Sequence, residues 1–458
     1  MTLGMYKLGP LVVAALVVAA LIGIVVLEQP MFGVVAALLA IPLEHSSVKL
    51  GGGGLSPTET LFIVTAAAVL LRTVASDGRQ ELPTPYAFLV GLLGVMLLGA
   101  SYATNSGIVL HVVLMWSAFV VVSLLVATAP ATRVELALGA LVVAAGVVGV
   151  IAIASTGTQE LVQGGQNAVG RAHGVFGHAN FLADFMILAL PQAIVMVARG
   201  PAVRRVIAIV AIPLIVAGLM LSLSRTGIVG ALCALAVMLA WRDFRRAVVV
   251  LLVLVAAFGV LNSGAISRSK EVSIVSQRLS TAGGGSSIQR DPRPDIWRAT
   301  PGIIAEDPLF GVGAKNFQYA SRRRGLIGVD GGSYVHAHNT ILTFAAEFGL
   351  VGLALFLGFV VTLIRMVAPG WRRDGPYRAW VVSLSASLIG LSIASLGDYP
   401  PDNNAIWAST LVVAGALIAL ARHNERSAAG SLPESRPAPR RSRAPAVIPE
   451  PRHAASRP

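Results

Sequence analysis

GIVLHVVLMWSAFVVVSLLVAT (residues 107–128), APATR (129–133) and VELALGALVVAAGVVGVIAIA (134–154) decide the fold. Each apolar block has the length at which a helix crosses about 30 Å of hydrocarbon, and a short loop carrying Arg133 separates the two. Lipid offers no partner for a free backbone N–H or C=O, so such blocks must be helices. The pattern repeats along most of the chain. Further spans are predicted at 58–71, 84–101, 178–198, 205–222, 226–241, 246–262, 341–364, 377–396 and 405–421. Composition agrees: 55% of residues are hydrophobic and 12% charged, too apolar for a water-soluble core. The expected class is an all-α polytopic integral membrane protein of about twelve transmembrane helices, occupying residues 1–421.

The apolar stretch from Leu8 to Leu43 is too long for a signal-peptide core. It reads as two short spans, or as one crossing plus a half-helix broken near Pro30. One crossing gives a total of twelve with both termini cytoplasmic. Alternate short loops carry Arg72 and Arg79, Arg133, Arg199, Arg204 and Arg205, Arg242, Arg245 and Arg246, and Arg365, Arg372, Arg373 and Arg378; the opposite loops hold Lys49, Arg171 and Arg225. Thirteen cations against three place the first set in the cytoplasm. The net charge of +13 therefore orients a membrane protein and does not call for a nucleic-acid partner. Cys233 is the single cysteine, which excludes an intrachain disulfide.

Two regions lie outside the spans. Residues 263–340 form a large extracytoplasmic loop, with a flexible stretch at Gly283–Ser287 and short helical turns from Pro294 to Glu306 carrying Trp297, Ile303 and Ile304. Residues 422–458, rich in Pro, Arg, Ser and Ala, read as a disordered basic cytoplasmic tail. Neither a soluble domain nor an internal repeat is evident.

Chemistry has to come from polar residues at the outer span ends. His336-Ala337-His338-Asn339 closes the large loop just before a span. Asn339 suits an N-cap, and a histidine there titrates near neutrality and can act as a general base. Plain capping is a second reading. A His-x-His metal pair is a third, for which Asp330 is a weak third ligand. Ser224-Arg225-Thr226-Gly227 places a guanidinium in a tight outer turn, where it can snorkel to headgroups or bind phosphate. Arg293 and Arg298, beside Trp297, are either a solvated basic loop or a second cation for the same anion. Arg322-Arg323-Arg324 reads as a solvated or headgroup-facing patch. His178 and Asn180 open another span from the outer face and can orient a substrate. Asp184 and Glu347 read as paired structural groups inside the bundle.

Together these pieces resemble the O-antigen ligase superfamily, over roughly residues 168–362. His338-Asn339 followed by nine residues and Gly349-Leu350-Val351-Gly352 is similar to the ligases' signature. Ser224–Gly227, Arg293 with Trp297, Pro308-Leu309-Phe310-Gly311-Val312-Gly313 and His178–Asn180 add to the resemblance. It implies a GT-C type helical fold in a bacterial cytoplasmic (inner) membrane, with its active site under the large periplasmic loop. It also implies a glycosyltransferase that moves a glycan from undecaprenyl pyrophosphate to an acceptor hydroxyl on another glycan or lipid. His338 would be the essential histidine, Arg225 and Arg293 the pyrophosphate-binding arginines with Arg298 beside them, and His336, Asn339, His178 and Asn180 would orient substrate. No cofactor and no metal are expected. A polymerase or a protein O-oligosaccharyltransferase of the same superfamily remains open, as does, from another class, a flippase for the lipid-linked glycan.

Overall fold

In the computed structural model, residues 23–44, 48–50, 53–75, 82–155, 162–163, 166–167, 171–241, 249, 292–327 and 332–430 are described. The span expected at 246–262 apart from residue 249, Gly283–Ser287, Asp330, the N-terminal stretch before Gly23 and the tail from residue 431 lie outside them.

The described chain is a bundle of apolar helices. In order they are α1 (Pro30–Ala40), α2 (Pro57–Ala75), α3 (Thr84–Gly99), α4 (Ser106–Thr128), α5 (Ala131–Ala154), α6 (Ala179–Arg199), α7 (Ala202–Leu221), α8 (Arg225–Leu239), α9 (Arg293–Ile304), α10 (Phe317–Arg323), α11 (Thr340–Arg372), α12 (Arg378–Ala394) and α13 (Asn404–Gly430). Seven of them are long and apolar enough to cross a membrane, and the protein is a multi-pass membrane protein. The remaining apolar helices, α1, α3, α8 and α12, are shorter. Two short antiparallel hairpins, Val48–Leu50 with Gly53–Leu55 and Val162–Gln163 with Gln166–Asn167, are the only strand pairs among the described residues. A helical stretch at 23–28 stops at Gln29 and α1 restarts with Pro30 at its first position, so the break falls where the proline demanded it.

Helices α6 and α13 form the centre. Every residue from Ala179 to Met196 is buried, and α13 packs on α4, α5, α6, α11 and α12. Peripheral helices turn apolar side chains outward instead, as Val206 and Ile209 of α7 or Leu357 and Ile364 of α11 do. In water that arrangement would be costly; in lipid it costs nothing. Interior contacts rely on small residues. At the α8–α12 crossing, a Cβ added to Gly230 would lie 2.5 Å from the Gly390 carbonyl oxygen, so only glycine lets the two backbones meet. Some buried polar groups pair across helices: the Tyr86 hydroxyl lies 2.7 Å from Ser123 Oγ, and Gln192 Nε2 donates to Ser387 Oγ at 2.7 Å.

Two boundaries differ from expectation. Helix α13 runs to Gly430, past the tail expected from residue 422. Apolar periodicity ends near Leu420, but Asn424 is buried, donates to the Gly370 and Arg373 carbonyls and accepts from the Tyr377 N–H, fastening the α11–α12 turn. Helix α11 continues to Arg372 and is broken at Gly349.

At one end of the bundle α9, α10 and the first segment of α11 build a small separate core around Ile296, Ile303, Val312, Phe317 and Ala337. The turns expected at 294–306 are thus one helix, α9. Asn316 Oδ1 accepts the Asn105 N–H at 2.8 Å, and the Tyr102 hydroxyl donates to the Phe310 carbonyl, tying this cap to the α3–α4 turn.

Candidate active site

The His336–Asn339 loop lies between the cap and the bundle, and hydrogen bonds fix it from both sides. Asn339 caps α11, its Oδ1 accepting the Leu342 N–H at 3.0 Å while its Nδ2 donates to the Leu396 carbonyl at 2.9 Å. The Thr340 N–H donates to the Ser395 carbonyl at 3.0 Å. From the cap, Trp297 Nε1 donates to the Ala337 carbonyl at 3.0 Å. The His338 N–H donates to His336 Nδ1 at 3.1 Å. That bond stabilises His338 in the left-handed region, φ 50°, which a histidine adopts only when its surroundings enforce it. His336 is thereby buried and His338 partly exposed: their side chains are 4% and 22% accessible.

Two acids from the α12–α13 turn face these histidines. Asp398 Oδ1 lies 3.7 Å from His338 Nδ1, an electrostatic contact rather than a formed hydrogen bond, and accepts the Tyr399 N–H at 2.8 Å. Asp402 Oδ2 is 3.9 Å from His336 Nε2, while its Oδ1 lies 3.2 Å from Lys315 Nζ. Burial pushes both carboxyls up, but the surroundings win. The imidazoles of His338, His178 and His336 hold Asp398 below the usual carboxylate range, and Lys315 with His336 does the same for Asp402. Burial, reinforced by His338, lowers His336 to about 3, against the pull of both aspartates. Burial lowers His178 to about 4, aided by Arg171, His338 and Arg293 and opposed by Asp398. At neutral pH the site therefore holds a buried anion, Asp398, and a partly exposed one, Asp402, beside the neutral imidazoles of His336 and His178.

Most of the expected residues converge here. Arg293, the first residue of α9, has its guanidinium Nη1 3.6 Å from where a Cβ on Gly397 would stand, one residue from Asp398. Thr226 packs on the same glycine. Arg225 opens α8 next to Thr226 and is exposed. Ser224 Oγ caps that helix through the Gly227 N–H at 3.2 Å. Gly227 is required because a Cβ there would overlap Ala183 of α6. His178 is the N-cap of α6.

Three expectations change. Arg298 does not join the cluster, because its guanidinium pairs with Asp295 at 3.0 Å on the exposed face of α9. Asn180 is buried and its Oδ1 accepts from Arg171 at 2.9 Å, so its amide braces a loop. Arg323 and Arg324 are not free basic groups but grip Glu306 at 2.9 and 2.6 Å. Asp184 and Glu347 are both fully enclosed; Asp184 stands near Asp398, and Glu347 near Lys315, Tyr399 and Asp402.

The glycine signature explains how α11 aims the loop. At Gly349 (φ 66°, ψ −173°) the helix breaks, leaving backbone groups without intrahelical partners. The 308–313 segment satisfies them: the Leu350 and Val351 N–H groups donate to the Pro308 and Leu309 carbonyls, and the Val312 and Gly313 N–H groups donate to the Ala346 and Glu347 carbonyls. Gly311 and Gly349 meet backbone to backbone, with no room for a Cβ on either. The two glycine motifs, separate in sequence, are one structural joint.

Asp398 and Asp402 were missed in the sequence. Their signal was available: two acids within Gly397-Asp398-Tyr399-Pro400-Pro401-Asp402, a short turn at the same end of the bundle. With Asp398 present, His336, His338 and Asp398 each offer one donor atom within 4.8 Å of the others, so the third metal ligand that Asp330 was weakly suited to supply exists elsewhere. The fit to a metal is incomplete. His336 Nδ1 already accepts the His338 N–H, which leaves that ring only its Nε2, on the side of Asp402.

Residues 207–357 match the family model described as O-antigen ligase. The match includes the Arg225 turn, α9, the 308–313 segment, His338 and Gly349–Gly352, and leaves His178, Asp398 and Asp402 outside. No curated protein matches the chain.

Proposed function

We propose, from the match of residues 207–357 to the O-antigen ligase family model, that the chain is a member of that family and transfers a glycan from undecaprenyl pyrophosphate to an acceptor hydroxyl at the outer face of a bacterial cytoplasmic membrane. The observation that carries the reading is the pairing of partly exposed His338 with buried, anionic Asp398, with Arg293 on the adjoining glycine. Asp398 orients the imidazole so that its Nε2 faces the acceptor, as a buried aspartate does in other His-based mechanisms. His338 takes the hydroxyl proton, the acceptor oxygen bonds to the anomeric carbon, and the bond from that carbon to the pyrophosphate oxygen breaks. The electron pair leaves with undecaprenyl pyrophosphate, whose charge Arg225 and Arg293 neutralise without a metal.

Ligase, polymerase and protein O-oligosaccharyltransferase share this donor chemistry, and only the acceptor separates them. A flippase would place its polar groups near the midplane in repeated halves. Here the histidines, aspartates and Arg293 gather at one end.

The test is transfer of labelled glycan by purified protein in proteoliposomes. Asp398→Asn lowers the rate by about 10²–10⁴-fold and alters the pH–rate profile, as expected when a base loses its orienting anion. Donor that crosses sealed vesicles without acceptor, while no transfer occurs, would identify the flippase instead.

A further inference from the structure

Behind His338 three side chains form a continuous chain of contacts that the transfer step does not use. Lys315 Nζ donates to the Asp402 backbone carbonyl at 2.9 Å and lies 3.2 Å from Asp402 Oδ1. Asp402 Oδ2 stands 3.9 Å from His336 Nε2, and His336 Nδ1 accepts the His338 N–H at 3.1 Å. We infer that Lys315 and Asp402 are positioning residues for His338: they hold His336 in the tautomer whose Nδ1 carries no proton, and through the His336–His338 bond they keep His338 in the left-handed conformation that sets its ring beside Asp398. The inference rests on the glycosyl-transfer reading and adds two residues to its machinery.

Three observations carry it. First, a neutral imidazole has one N–H and one bare nitrogen. Because His336 Nδ1 accepts, the proton sits on Nε2, the nitrogen that faces the Asp402 carboxylate. At 3.9 Å that carboxylate acts through its field and not through a formed hydrogen bond, and a negative charge in front of one ring nitrogen favours the proton there. With the charge removed the other tautomer competes. Its Nδ1–H would then oppose the His338 N–H, donor against donor, and the bond would be lost. Second, Lys315 outweighs the burial that opposes the charge on Asp402, so the cation and the anion work as a unit. Third, both ends of the chain of contacts are held on constrained backbone. Lys315 (φ 53°) and His338 (φ 50°) are two of the three non-glycine residues with positive φ among the described residues, a conformation that persists only where the surroundings enforce it. Next to Lys315, Asn316 Oδ1 accepts the Asn105 N–H, and Asp402 closes the Pro400–Asp402 turn with its N–H on the Tyr399 carbonyl at 3.0 Å. The same Lys315–Asp402 pair also ties the cap to the α12–α13 turn, so its test must separate positioning from mere fastening.

The experiment joins kinetics to a direct reading of the tautomer, with the full chain in nanodiscs. Histidine nitrogens are labelled with ¹⁵N, the His336 signals are assigned by their loss in His336→Ala, and bare and protonated ring nitrogens are told apart by their chemical shifts. Wild-type protein is expected to show His336 Nδ1 bare, and Asp402→Asn and Lys315→Met to show a share of it protonated. In glycan transfer both variants are expected to lower kcat about tenfold, less than a base loses with its own orienting carboxylate, while KM for undecaprenyl-pyrophosphate-linked glycan changes little. Lys315→Arg, which keeps the cation, should recover most of the rate lost in Lys315→Met. Adding Asp402→Asn to His336→Ala should cost nothing further, because the charge acts through the ring already removed. A protonated His336 Nδ1 in wild-type protein would overturn the inference. So would an Asp402→Asn variant that keeps the wild-type kcat, or one that loses rate with His336 Nδ1 still bare, which would leave Asp402 only a fastening role. Failure of the glycosyl-transfer reading is seen separately: wild-type protein would then transfer no glycan, while the nitrogen signals would still report whether Asp402 and Lys315 set the tautomer.

Discussion

His338→Ala is expected to lower glycan transfer at neutral pH by about 10²–10⁴-fold, the usual contribution of a positioned general base. Donor binding should persist, because Arg225 and Arg293 lie on α8 and α9 and neither depends on the imidazole. Stability should fall modestly: His338 is partly exposed, but its ring packs against His336 with centroids 4.3 Å apart and faces the buried Asp398 carboxylate. The checking measurement is transfer rate alongside donor affinity and thermal unfolding. Loss of rate with unchanged affinity, in protein still folded at the assay temperature, supports the base. A variant that transfers at the wild-type rate would move the base elsewhere.

Gly349→Ala is expected to act on the fold instead. Its φ of 66° and ψ of −173° lie in a region open essentially to glycine, which costs on the order of 1–3 kcal/mol for any other residue. The added methyl would also overlap the Leu309 carbonyl. Relief requires the 308–313 segment to move, breaking the four backbone bonds that join it to α11. The expected result is a Tm lowered by several degrees and loss of transfer, since the same segment of α11 starts at the His338 loop. Gly311→Ala, on the other side of the joint, should behave alike. Wild-type Tm in both would show that the joint is not structural.

The spans were legible because lipid imposes one rule, a run of apolar residues long enough to cross, and the described helices start within three residues of the expected positions, although α11 and α13 run on past their expected ends. The end of α13 was not, since Asn424 fastens a neighbouring turn through polar bonds that leave no apolar trace. His338 and Arg293 were readable from local motifs. Asp398 and Asp402 left only the weaker signal of two acids in one outer turn, because the folding of that turn back onto His336 and His338 is recorded by no spacing. Arg298 shows the converse: proximity to Trp297 in sequence suggested a role, yet the step of one residue, about 100° around α9, turns it to the outside, where Asp295 holds it.

The central claim is that His338 moves a proton while two arginines bear the leaving charge. His336, His338 and Asp398 are also close enough together to bind a divalent ion, and the two arrangements differ in a single observable. The most direct measurement is the initial rate of glycan transfer by purified protein in proteoliposomes after exhaustive treatment with EDTA. The account predicts a rate unchanged from untreated protein. Loss of transfer in EDTA, with recovery on adding magnesium or zinc, would contradict it and make His338 a ligand rather than a base.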